Sequence, residues 1–107
     1  MKESTIEKYL IGQVKSIGGM SIKQTGTRGV PDRLVLYRGE AIFVEVKQSK
    51  GVLAKHQMRF AEKLADCGVE TVVIWSKEGV DLFIEDVLQF HAQIELAIAD
   101  VENEAVH

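Results

Sequence analysis

The stretch from Gly29 to Lys47, GVPDRLVLYRGEAIFVEVK, constrains this chain more than any other. It puts Asp32 directly after Pro31, runs through two short apolar segments joined by Arg38-Gly39, and ends in Glu45-Val46-Lys47. Side chains alternate between faces along a strand, so Glu45 and Lys47 project to one side while Val46 faces the core. Two residues of rise set the two charged groups about 6.6 Å apart, close enough to converge on one small ligand. A hairpin with Arg38-Gly39 as its two-residue turn brings Asp32 to the open end, beside Glu45 and Lys47. Two carboxylates and one ammonium then share a sheet edge.

Carboxylates held close together repel, and a divalent cation relieves them. Mg²⁺ takes hard oxygen ligands, commonly one or two carboxylates with water and substrate phosphate. A lysine beside that metal suits a developing negative charge or an attacking water. Taken singly, Asp32 reads as a turn residue after proline, and Glu45 and Lys47 as a solvated strand face. The joint pattern of Pro-Asp, hairpin and Glu-x-Lys is what favours a site.

Pro31-Asp32 followed by Glu45-x-Lys47 resembles the PD-(D/E)XK nuclease signature. The local wording, Gly29-Val30-Pro31-Asp32, then Phe43-Val44-Glu45-Val46-Lys47 and a downstream Gln57, is similar to the VRR-NUC family of virus-type replication and repair nucleases. The similarity runs from about Glu7 to Trp75. It implies a restriction-endonuclease-like α/β fold and Mg²⁺- or Mn²⁺-dependent hydrolysis of DNA phosphodiester bonds. By the same resemblance, Asp32, Glu45 and the Val46 carbonyl bind the metal, Lys47 acts on the attacking water, and Gln57 holds that lysine or the water. Free-standing members of the family resemble Holliday-junction resolvases in forming dimers. The implied reading is a homodimeric, structure-selective endonuclease for branched DNA, of phage or mobile-element origin. A catalytically silent DNA-binding or oligomerisation module on the same fold is the alternative, and a small interaction protein with merely solvated acids a more distant one.

At 107 residues the chain is expected to form one domain, residues 1–99, followed by an acidic, frayed tail at 100–107. No run approaches the roughly 18 apolar residues of a membrane span, and no signal-peptide pattern opens the chain, so a cytoplasmic protein is expected. The net charge of −3 conceals an asymmetry. Residues 1–63 hold 12 Lys and Arg against 6 Asp and Glu, whereas residues 64–107 hold 1 against 10. A basic portion carrying the candidate site suits a polyphosphate substrate. Arg28, Lys50, Lys55 and Arg59 are the candidate DNA contacts; Lys63 is further along and His56 is read as a surface residue.

Along the chain, Ser4-Thr5-Ile6-Glu7 has the spacing of a capping box, and Ile6, Leu10, Val14 and Ile17 recur at helical intervals up to Gly18-Gly19. Glu7 either closes that box or, as the resemblance implies, reaches the metal site from the first helix. Met20–Gln24 reads as a short strand, followed by a turn-rich loop without the Gly-Lys-Ser/Thr of a nucleotide-triphosphate site. A helix over Leu53–Cys67 carries Gln57, Phe60, Ala61 and Leu64 on one stripe, with Cys67 as a buried small hydrophobe. Three histidines and one cysteine leave no zinc pattern. Val72-Val73-Ile74 reads as a strand buried on both faces in the middle of a mixed sheet. Ser76 caps a final apolar helix, or Val80–Ile84 adds a strand; the exposed face of that segment suggests a subunit interface. The expected order is αβββαβ with a C-terminal helix.

Overall fold

The computed structural model describes residues 1–106, and the side chains of residues 1–103. The elements are α1 (Glu3–Ser16), β1 (Met20–Lys23), β2 (Arg33–Tyr37), β3 (Glu40–Val46), α2 (Lys55–Asp66), β4 (Thr71–Ile74) and α3 (Lys77–Val106). The strands form one sheet in the order β1-β2-β3-β4, with β1, β2 and β3 antiparallel and β4 parallel to β3. The α2 crossover between β3 and β4 is what allows that parallel pair. Among the described residues, no helix is long and apolar enough to cross a membrane.

The hairpin forms as its sequence demands. Tyr37 pairs with Glu40, and the two residues between them both take positive φ, 46° at Arg38 and 83° at Gly39. Positive φ at both central positions is the turn that matches the twist of the flanking strands. Strand parity then decides the two faces. Val35, Tyr37, Val44, Val46 and Ile74 are buried on one, against Ile6, Leu10 and Val14 of α1 and Val80, Phe83, Ile84 and Val87 of α3. Each such side chain contributes about 1.5–3 kcal/mol on burial, so this layer supplies most of the driving force. The other face is covered more thinly, because α2 buries no residue completely.

The fold departs from the sequence reading in five places. Helix α1 starts at Glu3, its N-cap is Lys2, and no side chain caps it; Ser4 lies inside the first turn and so forms no box with Glu7, whose Oε2 accepts from Arg33. Strand β4 lies at the sheet's edge instead of its middle, and its apolar run is explained by Val72 and Ile74 joining the core cluster with α3 residues on one face while α2 lies on the other. Helix α2 begins at Lys55, leaving Leu53 in the preceding loop. Cys67 is exposed, at the C-cap of α2. Of the two alternatives for the last segment the helical one holds: α3 is helical from Lys77, with Ser76 Oγ accepting from Gly79 N at 2.9 Å, so Val80–Ile84 add no strand. That helix continues through Val106 across the segment expected to fray, and His107 lies outside the described residues.

One backbone contact fixes the approach to Asp32. Gly29 has φ of 86°, and a Cβ there would sit 2.4 Å from the His56 carbonyl oxygen in α2. The loop is thus pressed on the helix just before Pro31, which is fully buried. Gly29→Ala therefore meets both left-handed backbone strain and a backbone clash. A destabilisation of at least about 2 kcal/mol is expected, strain alone accounting for about 1–3 kcal/mol. A thermal melt of the variant superimposing on that of the parent would refute this account of the loop.

Candidate functional site

The carboxyl ends of β1, β3 and β4, the start of β2 and the first turns of α1 and α2 meet at one end of the sheet. Ligands in open α/β sheets favour the crevice outside the carboxyl ends of parallel strands. Here that crevice is a cleft of about 600 Å³ bordered by Lys2, Glu3, Glu7, Lys23, Asp32 and Val46.

Asp32 ties three strands together. Its carbonyl accepts from Gln24 N at 2.9 Å, and its Oδ2 accepts from Val46 N at 2.9 Å. Because Arg33 pairs with Val44, the next position outward sets Asp32 against Glu45 on the face towards α2. Glu45 is only 2% exposed, the one buried charged side chain among the described residues. Its Oε1 accepts from Gln57 Nε2 at 3.1 Å, while Gln57 Oε1 accepts from Ala54 N at 2.8 Å. Gln57 therefore satisfies a free donor at the start of α2 and one oxygen of Glu45 at once.

Burial first, then the hydrogen bond and charge of Asp32, together push the Glu45 carboxyl up to about 8; Lys47 opposes the shift and Glu3 adds to it. Two carboxyl groups that close, in a poorly solvated place, retain a proton between them when nothing else compensates their charge. The donor set is hard oxygen throughout. It fits a hexacoordinate cation that keeps water and substrate oxygens as its remaining ligands, the habit of Mg²⁺. Among the described residues, no three His, Cys, Asp or Glu side chains converge as a complete protein cage.

Lys47 is half-buried, and its N–H donates to the Ile74 carbonyl at 2.9 Å, which locks the end of β3 to the end of β4. The loop after it is held as well: Trp75 Nε1 donates to the Gly51 carbonyl at 2.8 Å. The contact of Gly29 with α2 sets the loop carrying Arg28 beside the turns carrying Lys55 and Arg59; these three and Lys50 are all exposed. His56 is half-buried.

Two sequence expectations are refined by this geometry. Gln57 bonds to Glu45, not to Lys47. Glu7 borders the cleft, but its Oε2 accepts from Arg33 Nε at 3.0 Å, with both side chains mostly shielded. Sequence reasoning missed Glu3, Lys2 and Lys23 as cleft residues. Glu3 and Glu7 are spaced i, i+4 and so share a helix face once the helix starts at Glu3, a signal that the apparent capping box hid.

The chain is 40% identical over 81 residues to "Putative nuclease p44" of Acyrthosiphon pisum secondary endosymbiont phage 1, a match covering 73% of this chain and 87% of that protein. It also superposes on a solved structure described as a VRR_NUC domain, with a TM-score of 0.72, 36% identity, and coverage of 78% of this chain and 94% of the other. No protein-family model matches the chain.

Proposed function

The chain belongs to the VRR-NUC nuclease family, and from that premise we propose that it is a metal-dependent, structure-selective endonuclease hydrolysing DNA phosphodiester bonds. The observation that carries the proposal is the buried Glu45 carboxyl set against Asp32, with Lys47 two residues on, at the open end of the sheet. Asp32 and Glu45, with the Val46 carbonyl, would hold Mg²⁺ or Mn²⁺, which when bound offsets the charge of the diester and lowers the pKa of its water. Lys47 orients the attacking water and stabilises negative charge developing on the phosphate. Gln57 fixes the rotamer of Glu45 and so the placement of its carboxylate. Glu7, held by Arg33, acts on the site through solvent.

Branched DNA such as a Holliday junction, met in replication, recombination or repair, is the substrate class this reading favours. A two-fold homodimer suits a two-fold branched substrate. Support for such an assembly comes from α3, whose 30 residues span about 45 Å and leave Phe90, Ile94, Leu96, Ile98 and Val101 exposed.

The test is side-by-side incubation of the purified protein with four-way junction, flap and linear duplex DNA, in Mg²⁺, in Mn²⁺ and in chelator. Cleavage that requires metal and prefers the junction is expected. Absence of any cut with either metal would instead make the chain a silent binding module.

A further inference from the structure

We propose that Lys2 and Lys23 form a phosphate-binding subsite that grips the DNA strand next to the bond to be cut. This rests on the reading of the chain as a DNA nuclease and names contacts that the sequence motif does not contain.

The cleft is bordered by three acids, Glu3, Glu7 and Asp32, and by two lysines, Lys2 and Lys23. Of the acids, Asp32 is engaged by the Val46 N–H and Glu7 by Arg33, while Glu3 lies exposed at the first turn of α1. Lys2 and Lys23 border the same cleft, both exposed, and neither lies within 4.0 Å of a carboxylate among the described residues. Two ammonium groups with no ion-pair partner, bordering the cleft that Asp32 also borders, favour an anion between them. The scissile phosphate has its own place at Asp32, Glu45 and Lys47, so the anion here is a neighbouring phosphodiester.

Register gives the direction of the strand. Lys23 pairs with Arg33, so both lie on the sheet face towards α1, whereas Glu45 and Lys47 face α2. Lys50, Lys55 and Arg59 follow from the α2 side of the site and Lys2 and Lys23 from the α1 side. A single strand crossing the end of the sheet meets the first group, the carboxylates and the second group in turn. The blander role for Lys23 is to keep an edge strand from pairing with another chain, which would leave DNA affinity untouched.

Binding of a fluorescent four-way junction in chelator, where no metal-dependent cut occurs, separates these roles. Anisotropy titrations at several salt concentrations are run for the parent, Lys2→Ala/Lys23→Ala, the corresponding double Arg variant, and Lys15→Ala at the far end of α1. The double Ala variant is expected to bind about ten-fold more weakly and to lose about one to two units of the log–log salt slope. The Arg variant should retain both and Lys15→Ala should match the parent. Unchanged affinity and slope in the double Ala variant, with the parent binding and cutting normally, overturn the subsite alone. A double Ala variant that loses affinity for free phosphate but not for the junction overturns it in favour of a small anion. A parent that neither binds nor cuts DNA removes the nuclease reading and the subsite with it.

Discussion

Lys47→Ala is expected to slow DNA cleavage by about 10²–10³-fold at saturating metal, while junction affinity stays within a few-fold of the parent. The loss corresponds to about 2.7–4 kcal/mol of transition-state stabilisation. Its size follows from what the substitution leaves intact. The Lys47 N–H still reaches the Ile74 carbonyl, so the β3–β4 pairing and the positions of Glu45 and Val46 are preserved. The variant removes a half-buried cation beside two carboxyl groups, and only the state in which negative charge grows on the phosphate misses it. Single-turnover cleavage of the junction by the variant within three-fold of the parent would show that Lys47 does not act on the chemistry. A large fall in junction affinity would instead make it one more phosphate contact.

The spatial grouping of Asp32, Glu45 and Lys47 was legible because strand parity and a two-residue turn are local rules. Arg38-Gly39 can adopt positive φ at both positions, and once it does, the register Arg33 to Val44 sets Asp32 opposite Glu45. Gln57 was legible as a polar head on an apolar stripe, although its partner was not. What escaped depends on residues far apart in the chain. Glu7 has the spacing of a capping box, yet a guanidinium 26 positions away captures it. Val72-Val73-Ile74 is apolar on both faces, but that pattern is the same whether a strand is central or an edge strand sandwiched between α2 and α3. Cys67 has the parity of a buried residue, yet it falls at the C-cap of α2, where it is exposed.

Without divalent metal, the stability of the protein is expected to fall as pH rises from about 5 to about 8. The sign follows from Glu45, whose carboxyl is pushed up to about 8 from an ordinary 4.5. Between those values the folded protein holds a proton that the unfolded chain has released. Unfolding therefore liberates a proton, and raising the pH favours it. The contribution is fully present below the unfolded pKa and is lost as pH passes through the folded one. The slope approaches about 1.4 kcal/mol per pH unit, or a few kcal/mol across the window. On the proposed reading Mg²⁺ or Mn²⁺ would bind the deprotonated pair, so the rise in melting temperature on adding metal is expected to be larger at pH 8 than at pH 5.5. Glu45→Gln supplies the control. An amide at that position can accept from Gln57 Nε2 and donate to Asp32, so the variant should fold, lose the added pH slope in chelator and lose most of the metal response. Because every other titrating group is common to both proteins, the difference between the two melting curves isolates Glu45. Parallel curves for parent and variant across this range would mean that the Glu45 carboxyl is not raised, and the case for a cation beside it would lose its electrostatic basis.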